Sequence, residues 1–415
     1  MSTATETVER SEGRQGLASM IRRVKIRNYK SIKNCDVELG PFTILVGRNG
    51  SGKSNFLDAI RLVSEGLREP QIQDSWALLP WGAVADNGFS ISESWIMLEI
   101  DLDDDTVATY SLCLGVRLPA GFTVLNEQLI IRKDKEIKAR YSCSNGEISA
   151  SSGFMPPASA NRFYLSRASV VPEFRPVYDA LSSTAFYNLE PEAIRKEEDA
   201  SPQLLLTRDG ANLASIFGSL ASARPEVKER VLAYMAVVVP EYSDIEHWAN
   251  GRYSRLIFHR ADPHGEPRTL YSLGISDGTL RSLGILVAIN QLASDGRPIR
   301  LVGIEEPETA LHPAAAGALM GALREAATHT QVLVTTHSAD LLDRFDPDEG
   351  DHLLLATMSG GATHLTEIDP ASKRIIRKHL DTAGGLLRMD QLEPDPADLD
   401  RQNAPTPSPG GNGDI

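Results

Sequence analysis

The tightest constraint on this chain is one glycine-rich octapeptide and what flanks it. The apolar run Phe42-Thr43-Ile44-Leu45-Val46 leads into Gly47-Arg48-Asn49-Gly50-Ser51-Gly52-Lys53-Ser54, and Phe56, Leu57, Ile60, Val63 and Leu67 follow at helical spacing. Strand, glycine loop, helix is the context that G-x-x-x-x-G-K-[ST] needs. Glycines let the N–H groups of Asn49, Gly50, Ser51 and Gly52 turn inward around phosphate oxygens, and the helix start adds its positive dipole end. Lys53 then reaches the β and γ phosphates, and the Ser54 hydroxyl binds Mg²⁺.

Two further strand ends carry chemistry. Leu301-Val302-Gly303-Ile304 closes on Glu305 and Glu306, and parallel sheets present active residues at the carboxyl ends of their strands. Alternation turns the two carboxylates to different sides, so Glu305 is expected to hold the Mg²⁺ shell and Glu306 to orient the attacking water as general base. A Glu pair before Pro307 also suits a strand-end cap; the phosphate loop decides for the functional reading. Val332-Leu333-Val334 delivers His337 through Thr335 and Thr336, and a hydrogen bond from His337 to the γ-phosphate or its attacking water is expected.

The rest of the chain sets limits. Its 415 residues carry 41% hydrophobic and 24% charged residues and a formal net charge of -14, which excludes a wholly basic nucleic-acid cradle and makes any DNA contact local. No apolar run approaches the roughly 20 residues of a membrane span. Cys35, Cys113 and Cys143 match no metal-ligand spacing and read as core residues of a reducing cytosol. Alternating segments from Ile96 to Tyr141 read as antiparallel strands, Pro225 to Val239 as a helix, and from Leu273 strands and helices alternate as in a largely parallel sheet. No heptad or internal repeat is present. The first twenty residues read as a disordered leader without a targeting signal, and the segment from Gln391, rich in Pro, Gly and Asp, as a disordered tail.

Read together, these parts are similar to an ABC-type ATPase head of the RecF, SMC and OLD-like group, in a compact form without a long coiled coil or Toprim domain. Ile26-Arg27-Asn28-Tyr29-Lys30-Ser31-Ile32 resembles the strand before the group's Walker A loop, and Ser276-Asp277-Gly278-Thr279-Leu280-Arg281 its signature. Ile304-Glu305-Glu306-Pro307-Glu308 with Leu311-His312-Pro313 resembles Walker B and the D-loop, and Thr335-Thr336-His337-Ser338 the switch-histidine motif. The resemblance implies a P-loop α/β fold, a mixed sheet flanked by helices. The N-terminal lobe is expected over 21–95, an inserted β-rich and helical region over 96–265, and the C-terminal lobe over 266–390, between the leader (1–20) and the tail (391–415).

The resemblance further implies ATP and Mg²⁺ as cofactors, ATP hydrolysis, and a homodimer or higher homo-oligomer with ATP at the interface. Ser276 and Gly278 of one copy would touch the γ-phosphate held by Lys53 and Ser54 of the other; a plain helix cap is the alternative for Ser276. The setting it suggests is a cytoplasmic DNA-repair or anti-phage assembly with a separate effector such as a nuclease, because the stretch between His337 and Gln391 is too short for a Toprim domain. Double-stranded DNA is a candidate ligand at the basic stripe Arg22, Arg23, Lys25, Arg27, Lys30 and Lys33, although a solvated sheet face carries such residues too. Two departures stand out. Glu305 replaces the usual Asp, which leaves a non-hydrolysing, ATP-gated scaffold as the alternative function, and neither Gln71 nor Gln73 is marked as the Q-loop residue. Arg48 reads as an exposed loop residue or a phosphate-directed cation.

Overall fold

The computed structural model describes residues 19–69, 93–103, 105–117, 121–151, 155–159, 161–199, 205–251, 253–260, 268–292, 296 and 298–404. Gln71 and Gln73 lie outside them, as do the leader up to residue 18 and the last part of the tail. The strands are β1 (Met20–Tyr29), β2 (Ile32–Glu38), β3 (Phe42–Val46), β4 (Ser94–Asp101), β5 (Thr106–Arg117), β6 (Gly121–Lys133), β7 (Glu136–Ser144), β8 (Glu147–Ala150), β9 (Thr184–Tyr187), β10 (Glu198–Asp199), β11 (Tyr242–Ala249), β12 (Tyr253–Arg260), β13 (Arg268–Tyr271), β14 (Leu301–Glu305), β15 (Gln331–Thr336), β16 (Asp351–Ser359) and β17 (Ala362–Glu367). Among the described residues thirteen of them form one sheet in the order β8-β7-β6-β5-β4-β1-β2-β17-β16-β3-β15-β14-β9.

The strands β16, β3, β15, β14 and β9 run parallel, and β1, β2 and β4 to β8 form an antiparallel wing. The sheet is thus mixed, as the resemblance implied, with β14, β15 and β16 in its parallel part. Both faces of the parallel part are covered, which is why its strands read as continuous apolar runs. Leu45, Leu301 and Leu333 pack with Phe56, Leu57, Ile60 and Val63 of the helix α1 (Lys53–Arg68). Ile44, Val46, Val302, Ile304, Val332 and Val334 pack on the opposite side, against the helices α2 (Leu213–Ala223), α3 (Pro225–Val238), α4 (Asp277–Asn290) and α5 (Pro313–Ala327).

Strands from residues 96–265 join the main sheet at both of its ends. Strand β4 pairs along most of its length with β1, from Arg27↔Trp95 to Met20↔Asp101, so the wing continues the main sheet, and β9 supplies the far edge of the parallel part. Among the described residues, β10 to β13 form a separate sheet. The tail from Gln391 is also ordered in part. Helix α6 (Pro396–Asn403) starts on Asp395, whose carboxylate accepts the Ala397 N–H at 2.8 Å, with Pro at the first helical position. Buried Gln402 donates to the Leu365 carbonyl of β17, Asn34 of β2 donates to the Gln402 carbonyl, and Asp398 accepts the Glu367 N–H. Composition pointed to disorder; these side-chain bonds to the sheet supply the ordering.

Replacing Asp395 with Ala removes the α6 cap and is expected to cost about 1 kcal/mol of stability. A urea midpoint equal to that of the wild type would show that the tail helix is not part of the cooperative fold.

Candidate active site

Parallel register puts the sequence motifs on one rim. Val46 pairs with Thr336, and Thr335 pairs with both Leu45 and Glu305. The chain leaves β3 with the Gly47 N–H bonded to the Thr336 carbonyl at 3.2 Å. Gly52 then takes φ +95°, and a Cβ there would sit 2.0 Å from the Thr363 hydroxyl oxygen, so only glycine serves. Helix α1 starts without a side-chain cap, leaving its first N–H groups for an anion, and the buried Ser51 hydroxyl has no hydrogen-bond partner among the described residues. This donor-rich cradle fits the phosphates of a nucleotide. Lys53 is buried, with Nζ donating to the Gly47 and Arg48 carbonyls at 2.7 and 3.1 Å. Burial pushes its pKa down, against the pull of Glu306, Glu308 and Glu305.

Ser54 Oγ donates to Glu305 Oε2 at 2.6 Å, across most of the chain's length. A hydroxyl and a carboxylate fit Mg²⁺, which takes its remaining ligands from phosphates and water. Among the described residues no group of three or more His, Cys, Asp or Glu gathers as a metal site, and a phosphate-borne ion needs none. Glu306 turns the other way. Its φ is +45°, its N–H is held by the Thr335 carbonyl at 2.9 Å, and its Oε1 lies 3.1 Å from His337 Nδ1. With the carboxylate as acceptor, Nδ1 carries the ring proton. His337 thus reaches the expected rim, with Glu306 as its protein partner.

Three residues at this rim were given no role in the sequence reading, two of them inside its motifs. Arg208 Nη2 donates to Glu305 Oε1 at 2.5 Å. Arg281, the last residue of the stretch that resembles a signature, is buried and donates to the Glu305, Glu306 and Leu189 carbonyls, so α4 braces the backbone that carries both carboxylates. Burial pushes its pKa down, while Glu308 and Glu306 pull it up. Glu308 is partly buried beside them and accepts the Thr336 hydroxyl. The position of Arg281 in the motif was a usable signal; a lone Arg208 carries none.

The other expected residues have local partners. Ser276 caps α4, its Oγ accepting the Thr279 N–H at 3.3 Å, and Arg195 grips that turn through the Ile275 carbonyl and the Asp277 carboxylate. Gly278 is buried, and a Cβ there would lie 2.3 Å from the Ala310 carbonyl oxygen. A reason internal to the chain therefore fixes glycine at 278, while Ser276 stays exposed at the helix start. Arg48 pairs with Asp390 at 2.9 Å in solvent. In the basic stripe Arg22 pairs with Glu99, Arg23 and Lys25 with Asp36, and Lys30 with Asp58.

With this geometry in view, similarity to known proteins is informative. Residues 20–155 match the family described as "AAA ATPase domain", and residues 158–343 the one described as "AAA domain, putative AbiEii toxin, Type IV TA system". The RecF DNA replication and repair protein of Erwinia tasmaniensis is 31% identical over 125 residues, 26% of this chain and 34% of the relative. The OLD nuclease of Thermus scotoductus is 43% identical over 44 residues, 11% of this chain and 8% of the relative. An SMC head solved with the C-terminal winged-helix domain of ScpA shares the fold, with a TM-score of 0.50 and 14% identity over 85% of this chain and 99% of that one. The chain is an ABC-type P-loop ATPase of the RecF, SMC and OLD group. It spans about a third of the RecF relative's length and under a tenth of the OLD nuclease's.

In this ATPase head, burial raises the Glu308 carboxyl above its usual 4.5. The native state therefore binds that proton more tightly than the unfolded chain. The resulting stabilisation is full below 4.5 and is lost as pH rises through the folded value. Relative to the wild type, Glu308→Gln is expected to gain stability from about pH 4 to about pH 8 in urea unfolding; parallel pH profiles would contradict this.

Proposed function

We propose that this protein hydrolyses ATP with Mg²⁺, and that nucleotide closes two copies head to tail to gate a DNA-repair or anti-phage assembly in the cytoplasm. The observation that carries the reading is the division of labour at one rim, with Glu305 on Ser54 and Glu306 on His337. Asn49, Gly50, Ser51 and Gly52 offer N–H groups to the phosphates, and Lys53 exchanges its two loop carbonyls for phosphate oxygens. Ser54 and Glu305 would hold Mg²⁺, which when bound neutralises the phosphate charge. Glu306 then orients and deprotonates the attacking water, and His337, bonded to that carboxylate through Nδ1, steadies it. Arg281 keeps the backbone beneath both carboxylates in place.

Ser276, exposed at the start of α4, and the N–H of Gly278 suit the γ-phosphate of a second copy, because helix starts bind anions. Among the described residues no helix is long and apolar enough to cross a membrane. The RecF relative supports a DNA-maintenance setting, and the effector is a separate chain such as a nuclease. Since at least four of the six basic-stripe side chains are paired with acids, double-stranded DNA would be gripped elsewhere or would have to displace those acids.

The test is steady-state phosphate release with Mg-ATP, with and without duplex DNA. Lys53→Ala and Glu306→Gln are each expected to lower turnover by about 100-fold or more, and stimulation by DNA would support DNA as a ligand. Wild type that binds ATP but releases no phosphate would instead favour the ATP-gated scaffold.

A further inference from the structure

Both oxygens of the Glu305 carboxylate are engaged, one by the Ser54 hydroxyl and the other by the Arg208 guanidinium. The carboxylate is largely buried, with 13% of its side chain exposed, and a buried charge needs a partner. Arg208 does not reach it from a loose loop. The Arg208 carbonyl accepts the Asn188 N–H at 2.9 Å and the Asp209 carbonyl accepts the Glu190 N–H at 2.9 Å, which ties the turn to the chain leaving β9. On the other side Asn212 Oδ1 accepts the Thr207 N–H at 2.8 Å, and Gln291, which follows α4, accepts the Leu206 N–H at 3.0 Å. The guanidinium is thus delivered to Glu305 from a turn bonded at four points.

We propose that Arg208 is a positioning residue that acts as a counter-cation for Glu305 and competes with the divalent metal for it. The inference rests on the reading of Glu305 as the metal-site carboxylate. A carboxylate whose charge is shared with a guanidinium is a weaker oxygen donor, and a fixed positive charge beside it repels a second cation. Arg208 therefore holds Glu305 against Ser54 while no metal is present, and it must release one oxygen before the carboxylate can serve the metal shell. The residue sets the metal concentration at which the site loads.

The test is Mn²⁺ binding to the full chain in the presence of ADP, followed by the electron paramagnetic resonance signal of free Mn²⁺, for wild type, Arg208→Ala, Arg208→Gln, Arg208→Lys and Glu305→Gln. Circular dichroism melts confirm that each variant is folded. Both neutral variants are expected to bind Mn²⁺ about fivefold more tightly, the worth of a partly exposed ion pair, with Arg208→Lys close to wild type and Glu305→Gln weaker. Unchanged or weaker binding in the neutral variants, with Glu305→Gln weakened, would overturn the competition while leaving Glu305 as the metal carboxylate. Unchanged binding in Glu305→Gln would overturn the reading of Glu305 and the competition with it.

Discussion

The site depends on the register of three parallel strands. Because Thr335 faces both Leu45 and Glu305, the chain leaves β3, β14 and β15 at one level. A slip of one residue in any of these pairings would send the carboxylates to the opposite faces of the sheet. Apolar packing on both faces prevents that slip, since every residue of β3 is buried and its side chains alternate between the α1 layer and the α4–α5 layer. Ser54, the Glu305–Glu306 pair and His337 meet as a consequence of the apolar packing of the strands that lead to them.

The second support is Arg281. A buried guanidinium bonded to carbonyls is costly by itself, and its environment includes Glu308, Glu306, Asp277 and Glu190 as balancing charges. Its bonds join the start of α4, where Ser276 stands, to the backbone of Glu305 and Glu306. A displacement of the signature end of α4 would therefore be felt beneath the carboxylates without any change in sequence-adjacent residues. This geometry supplies a physical route by which an event at an exposed helix start reaches the rim proposed to hold phosphate.

What could be read in the sequence followed the strength of local signals. The glycine loop, the Glu pair and the histidine each close an apolar run whose type and length leave little choice, and their neighbours agree with them. The antiparallel pairing of β4 with β1 was not legible, because alternation announces a strand without naming its partner. Helix α6 was hidden by a composition rich in Pro, Gly and Asp, although Asp395-Pro396 is a helix-start signature when read position by position. The stripe of Arg and Lys on β1 looked like a basic surface because its partners, Glu99, Asp36 and Asp58, are placed beside it only by the fold. Arg208 belongs to the same kind: its role exists through Glu305, which lies 97 positions away.

The central claim, that nucleotide at this rim joins two copies through the exposed helix start of α4, is tested most directly by sedimentation velocity of Glu306→Gln with and without Mg-ATP. The account predicts a monomer without nucleotide and a dimer with it, and a monomer in both conditions when Ser276→Arg is added. The same mass with and without ATP in Glu306→Gln, or an ATP-dependent dimer that survives Ser276→Arg, would contradict it.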